Sequence, residues 1–205
     1  MMRHILQTGL RECFDQEGGP VPCVGTLQDG DLQKGLPLPR PRFTTPGAGL
    51  VMDRYTGLCW PQDLSGFSLP VRWAEGLSMV ADLNRQRYLG HADWRMPNRR
   101  ELRSLIWHSA KNPALPPDHA FREIKSTWYW TSTTSAVHPA HAWRVHMEGG
   151  RMFWTRKDQF LLLLPVRGDS SVLPRTGQLE CYREGGEGTK CCDTGQDGEI
   201  RAGAA

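Results

Sequence analysis

The spacing of apolar residues predicts two helices near the middle of the chain. Apolar side chains recur on one helical face between residues 71 and 86, at Trp73, Leu77, Val80 and Ala81. Since Pro70 also suits a helix entry, this pattern predicts an amphipathic helix over residues 71–86. A second helix is expected after Asn98, because Glu101 three residues later completes a capping box. The buried stripe of this second helix is Leu102, Leu105 and Ile106.

Alternating and β-branched segments predict strands on both sides of these helices. Residues 50–52 and 58–60 flank a turn with Gly57 at a positive-φ position, which predicts a hairpin. Further strands are predicted at 128–133, 142–147, 151–155 and 160–167. Along the second of them, Trp143, Val145 and Met147 are expected to point inward and Arg144, His146 and Glu148 outward. The order of elements indicates an α+β domain with two helices packed on one side of a twisted antiparallel sheet.

Composition is that of a globular protein. The chain is 39% hydrophobic and 23% charged, and no segment approaches the roughly 20 apolar residues of a membrane helix, so no membrane insertion is expected. The net charge of +3 is too small to indicate nucleic acid as a partner. Residues 1–9 lack the apolar run of a secretory signal, so the chain as written is expected to be soluble and unexported. All eight tryptophans lie between Trp60 and Trp154, whereas five of the six cysteines lie in the two tails.

The two ends of the chain repeat each other at a constant offset of 168 residues. The shared positions of the first copy are Thr8, Gly9, Glu12, Cys13, Gly18, Cys23, Thr26, Gln28, Asp29, Gly30 and Gly35. The second copy resembles the opening of a further unit, which indicates a tandem array. The expected organisation is a Cys/Gly-rich leader (1–36), a Pro-rich linker (37–48), one domain (49–168) and a flexible partial repeat of the leader (169–205).

Each copy holds two cysteines with nine residues between them, which predicts the disulfides Cys13–Cys23 and Cys181–Cys191. Reduced thiols in a cytosolic chain remain an alternative. A zinc site is not expected, because closely spaced C-x2-C pairs are absent. Disulfides would indicate an exported protein, in tension with the missing signal.

No sequence motif indicates catalysis or a cofactor. The G-x-S-x-G, P-loop and H-E-x-x-H patterns are absent, and Cys59 is interpreted as a small buried apolar residue. His138, His141 and His146 lack an accompanying carboxylate or thiol, so they are interpreted as solvent-facing residues rather than metal ligands. We therefore expect no enzyme activity, no metal and no cofactor.

The candidate binding site lies between residues 138 and 157, where cationic side chains adjoin tryptophans. Guanidinium and ammonium groups pair with sulfate, phosphate or carboxylate, and exposed indoles stack on sugar rings. The candidate ligand-binding residues are His138, His141, Arg144, His146, Arg151, Arg156 and Lys157. The alternative interpretation is a solvated charged face over tryptophans that belong to the core.

Several multi-residue blocks occur in the order found in one known family. They are Asp53-x2-Thr56-Gly57-Leu58-x-Trp60, Trp73-x2-Gly76, Asp93-Trp94-Arg95-Met96-Pro97-Asn98-x2-Glu101-Leu102, Tyr129-Trp130-Thr131-Ser132-Thr133, Ala142-Trp143 and Leu164-Pro165-Val166-Arg167-Gly168. With these blocks the chain resembles the Legionella collagen-like protein (Lcl) C-terminal domain family. The departures are Cys59, where an apolar residue is usual, and Gly76, where alanine is usual.

The resemblance implies a C-type-lectin-like fold, related to formylglycine-generating enzymes and to the variable proteins of diversity-generating retroelements. It also implies a cell-surface or extracellular binding module, since the named member is an adhesin for sulfated glycosaminoglycans; a cytoplasmic location is the alternative. We expect a non-catalytic ligand-binding or adhesion module whose partner is an anionic glycan or a protein. The alternatives are a retroelement-diversified variable protein and, more distantly, a formylglycine-generating-like enzyme. The copper site of those enzymes uses cysteines, and residues 128–168 contain none.

Overall fold

The computed structural model describes residues 7–204 of the chain. Four α-helices are present in this part: α1 (Asp29–Leu32), α2 (Trp73–Arg85), α3 (Arg99–Ser104) and α4 (Asp197–Ile200). The strands up to α3 are β1 (Cys13–Phe14), β2 (Pro20–Val21), β3 (Phe43–Gly47), β4 (Leu50–Asp53), β5 (Cys59–Pro61) and β6 (Trp94–Arg95). The later strands are β7 (Trp128–Thr134), β8 (His141–His146), β9 (Met152–Arg156), β10 (Val166–Arg167), β11 (Cys181–Tyr182) and β12 (Gly188–Thr189). None of these helices is long and apolar enough to cross a membrane.

Both predicted helices are confirmed, and α3 begins as the capping box requires. The side chain of Asn98 accepts hydrogen bonds from the backbone amides of Arg100 and Glu101 at 2.9 and 3.0 Å. The carboxylate of Glu101 accepts one in return from the Asn98 amide at 2.9 Å. These bonds satisfy amides that the first turn of a helix leaves without partners.

The strands form two larger antiparallel sheets, in an α+β arrangement. One sheet has the order β3-β4-β5-β10-β6, and the other has the order β7-β8-β9. The predicted hairpin is β4–β5, with Gly57 at φ +77° in its turn. The strand β3 lies entirely within the segment that the sequence pattern assigned to the Pro-rich linker (37–48), and it pairs with β4.

The last predicted strand, residues 160–167, does not extend the β7-β8-β9 meander. Only Val166 and Arg167 form a strand, and they join β5 and β6 in the other sheet. The preceding residues make only single-residue pairings: Leu161 with Val71, just before α2, and Leu162 with Tyr129 of β7. A run of apolar residues indicates that a segment is buried, but it does not indicate which strand the segment pairs with. This is why the sequence pattern placed residues 160–167 in the wrong sheet.

The core holds four of the eight tryptophans almost completely buried: Trp60, Trp73, Trp94 and Trp130. Two ion pairs are enclosed with them. Arg42 donates to both carboxylate oxygens of Asp53 at 3.0 and 2.7 Å, and Arg95 donates to both oxygens of Glu101 at 2.6 Å. Two-pronged pairs of this kind satisfy the donors and acceptors of both groups.

The two ends fold into matching modules, the leader module (7–36) and the C-terminal module (175–204). In each, a disulfide adjoins a short hairpin, and the predicted pairs Cys13–Cys23 and Cys181–Cys191 are confirmed. In each, a glutamine side chain binds the backbone amide and carbonyl of the residue after the first cysteine. Gln28 binds Phe14 at 3.1 and 2.7 Å, and Gln196 binds Tyr182 at 2.9 Å in both bonds. The sequence repeat is therefore a repeat of structure.

The C-terminal module packs against the domain. The hydroxyl of Thr133 donates to Asp197 at 2.7 Å, and the Thr134 amide donates to the side chain of Gln178 at 2.8 Å. Asn98 donates to the carbonyl of Ala202 at 3.3 Å. The sequence pattern had indicated a flexible segment here and gave no sign of this docking.

Candidate ligand-binding site

The β8–β9 hairpin distributes the candidate residues over both faces of its sheet. Side chains alternate along a strand, so Arg144 and His146 lie on one face of β8 while His141 and Trp143 lie on the other. The register pairs Arg144 with Phe153 and His141 with Arg156 across to β9. Within residues 7–204, β9 is an edge strand, and both faces reach the surface there, since Phe153 on one face and Trp154 on the other are exposed.

The first face carries a group that we call the Trp128 cluster: Trp128, Arg144, His146, Arg151 and Phe153. The Arg144 guanidinium lies 4.0 Å from the centroid of the Trp128 ring, and that of Arg151 lies 6.0 Å away. The rings of His146 and Phe153 meet Trp128 edge-on, with centroids at 4.6 and 6.3 Å. Phe153 is 58% exposed, so the cluster opens to solvent.

Arg144 is the cation without a counter-charge in this cluster. Its Nε is buried and has no hydrogen-bond partner among residues 7–204. Arg151, by contrast, is paired with Glu148 at 2.8 Å. Burial lowers the pKa of His146, and the nearby Arg151 lowers it further, so this ring is neutral at pH 7. The positive charge available to a ligand therefore lies on Arg144.

The second face carries the Trp154 cluster: His138, His141, Trp154 and Arg156. The two histidine rings are 5.4 Å apart, and each lies 4.9 Å from the Trp154 ring. Burial lowers the pKa of His141, with His138 and Arg156 adding to the effect. Arg156 is paired with Asp158 at 2.7 Å. The charge of this cluster is thus largely neutralised within the chain.

The three histidines do not converge. His141 and His146 are five residues apart on β8 and point to opposite faces. Within residues 7–204, no group of three or more histidine, cysteine or acidic side chains is placed to hold a metal ion. Burial raises the pKa of the Cys59 thiol, which keeps it protonated near neutral pH.

Lys157 is buried, although the sequence pattern placed it on the binding surface. Its ammonium lies 4.1 Å from the Trp73 ring and donates to the Arg183 carbonyl of the C-terminal module at 3.3 Å. Burial lowers its pKa from 10.5 to about 8. Because Lys157 is enclosed by its own chain, a ligand cannot contact its ammonium group.

Sequence reasoning also missed two members of the surface. The candidate list includes neither Trp128, which is half-buried, nor Phe153, which is exposed. The alternation along β9 could have found Phe153, because it lies directly across from Arg144. Conversely, Trp143 was expected to point inward and is half-buried beneath the guanidinium of Arg99, which lies 4.7 Å from its ring.

The small α+β domain has disulfide-closed modules at its ends and an aromatic surface around Arg144, an arrangement that fits a ligand-binding module. The chain is a member of the Lcl C-terminal domain family, whose sequence model matches residues 49–167. The matched region contains the Arg95–Glu101 ion pair, Asp53 of the other pair and both clusters of the β8–β9 hairpin. Membership indicates a surface or ligand-binding module. No curated protein sequence shows significant similarity to the chain.

Proposed function

We propose that this protein is a non-catalytic binding or adhesion module that recognises an anionic glycan at the Trp128 cluster. The observation that carries the proposal is Arg144, a cation without an internal counter-charge that is stacked on a tryptophan and flanked by an exposed phenylalanine. A sulfate or carboxylate would supply the missing charge, because the guanidinium fork matches both groups.

The aromatic members explain why the anion would be part of a sugar. A pyranose ring presents C–H groups that pack on an aromatic face, while its anionic substituent reaches the neighbouring cation. The Trp154 cluster has similar rings, but its arginine is already paired with Asp158. The Trp128 cluster is therefore the better candidate for an acidic sugar.

We further propose a C-type-lectin-like fold and a location at the cell surface or outside the cell. Two short-loop disulfides support an oxidising compartment. The fold assignment rests on the family and on the arrangement of two helices against antiparallel sheets.

A protein ligand is the second candidate, as in a retroelement-diversified variable protein. It is favoured by the exposure of two adjacent large side chains on an edge strand, Phe153 at 58% and Trp154 at 40%. Protein interfaces are enriched in such residues. A template copy of the sequence for residues 128–160 beside the gene, altered at adenines, would decide for this candidate.

Replacing Arg144 with glutamine is expected to weaken binding to heparin about tenfold, because one charge-assisted contact is lost. The measurement is the dissociation constant for a defined heparin oligosaccharide at low salt, with a desulfated oligosaccharide as the comparison ligand. Thermal unfolding should change little, since Arg144 makes no ion pair with the described residues and loses only its stacking on Trp128, worth about 1 kcal/mol.

The matched controls remove the same charge elsewhere. Arg156→Gln acts on the opposite face of the hairpin, and Arg122→Gln acts on an exposed arginine outside it. Both should stay within about twofold of the parent protein if the effect is local and not one of net charge. Equal weakening by all three substitutions, or none by Arg144→Gln, would reject the glycan proposal for this site.

A further inference from the structure

The leader and C-terminal modules have one fold but contact the domain through different faces. In the leader module, the contact is made by Thr8 and Gly9, which we call the Thr-Gly face. The amide of His108 donates to the Thr8 carbonyl at 3.2 Å, and Gly9 is buried against the Trp107 ring. A side chain at Gly9 would overlap that ring, so this contact requires a glycine opposite the indole.

In the C-terminal module, the contact with the domain includes the Asp-Gly face, which we define as Asp197 and Gly198 at the start of α4. Asp197 is 2% exposed and accepts hydrogen bonds from Thr133 of the domain and Thr176 of its own module, both at 2.7 Å. Gly198 packs on the Glu180 backbone of its own module, as Gly30 does on Glu12 in the leader module, so the two copies share this internal packing. The same position of the leader module, Asp29, is exposed.

Each face that one copy uses is therefore open in the other copy. Gly177 corresponds to Gly9 and has the same backbone conformation, with φ at +88° against +81°. It is exposed, and a side chain built on it would meet no atom of residues 7–204 within 4 Å. The Thr-Gly face that contacts Trp107 in the leader module is therefore also present in the C-terminal module, where no indole covers it among the described residues.

We propose that the C-terminal module is a two-sided connector, whose Thr-Gly face seats the Trp107–His108 turn of a second Lcl C-terminal domain. The occupant follows from the first copy, where that same face already holds that same turn. A second intact copy of the chain does not fit, because its Trp107 is covered by its own leader module. The fitting partner is a domain for which this module is itself the leader.

This arrangement would join successive domains by rigid contacts on both sides of one disulfide-closed module. The Asp-Gly face holds the preceding domain, and the Thr-Gly face holds the following one. Both sets of contacts occur in the described chain, each in one copy of the module. The proposal concerns assembly and does not depend on which ligand the Trp128 cluster binds.

The test is a two-unit chain, in which the full protein is followed directly by a second copy of residues 38–205. At the offset of the repeat, Ala205 corresponds to Pro37, so this junction preserves the natural spacing. Lys111→Arg in the second unit, at an exposed position, gives the peptides that span residues 104–111 of that unit a distinct mass. Hydrogen exchange of the His108 amide is then measured separately in the two units.

We expect the His108 amide to be protected in both units, exchanging at least about tenfold more slowly than an open amide. In the second unit, protection should depend on Gly177, and Gly177→Val in the first unit should remove it. The control is Gly18→Val, which has a similar φ of +84° at an open position in the leader module. That substitution should leave the protection unchanged.

Fast exchange of His108 in the second unit would overturn the proposal. Protection that survives Gly177→Val would overturn it as well, because the amide would then be covered by something else. If the second unit failed to fold, half of the signal from the β7 peptides, which are identical in the two units, would exchange rapidly. That result would show that the C-terminal module cannot serve as a leader, and it would overturn the proposal.

Discussion

Replacing Glu101 with glutamine is expected to lower the free energy of unfolding by about 3–5 kcal/mol. The carboxylate is fully buried and accepts bonds from Arg95 at 2.6 Å and from the Asn98 amide at 2.9 Å. A glutamine keeps one acceptor but turns an N–H donor toward the guanidinium. Arg95 would then be a buried charge without a counter-charge, which is the costly outcome.

The matched control is Glu75→Gln in the first turn of α2. Glu75 also accepts a bond from the backbone at the start of its helix, from the Arg72 amide at 2.8 Å, but it is exposed. Its loss should cost less than about 1 kcal/mol. Urea denaturation suits this comparison, because guanidinium chloride would screen the charges. Equal losses in the two variants would contradict the assigned role of the buried pair.

A double variant compares the desolvation cost of the buried Arg95–Glu101 pair with the stabilisation that its hydrogen bonds provide. Arg95→Met with Glu101→Leu removes both charges together and should be more stable than Glu101→Gln alone. If the double variant were the less stable of the two, hydrogen bonding by the pair, including the 2.7 Å bond from Arg95 to the Gly168 carbonyl, would outweigh its desolvation cost.

The elements that the sequence predicted correctly depend on neighbours a few residues away. Asn98 and Glu101 form a capping box because Glu101 follows Asn98 by three positions, within the first turn of the helix, and this spacing can be read directly from the sequence. The β4–β5 hairpin follows from Gly57 and its flanking apolar segments. Likewise, a constant offset between two copies needs no three-dimensional information to be seen.

The failures depend on contacts between distant parts of the chain. His146 has the alternation of an outward residue and is only 9% exposed, because the Trp128 ring from β7 covers it. Lys157 follows directly after β9, as a surface residue would, and is enclosed by the C-terminal module. Periodicity gives the direction of a side chain but not what lies in that direction.

The stability of the protein relative to a Lys157→Met variant is expected to rise by about 2 kcal/mol between pH 7.5 and pH 9.5. Burial lowers the pKa of Lys157 from 10.5 to about 8, so the folded state releases this proton before the unfolded state does. Stability rises with pH wherever the unfolded state binds more protons. The rise therefore occurs between about pH 8 and 10.5, at roughly 1.4 kcal/mol per pH unit.

Methionine keeps the length and the apolar contact with Trp73 but does not titrate, so the difference between the two curves isolates Lys157 from other groups. Both proteins should carry Cys192→Val, because a free exposed thiol would exchange with the disulfides at high pH. Val24 occupies the same position in the leader module. Urea denaturation at closely spaced pH values gives the two curves. Parallel curves would mean that Lys157 has an ordinary pKa, and hence that the C-terminal module does not enclose its ammonium.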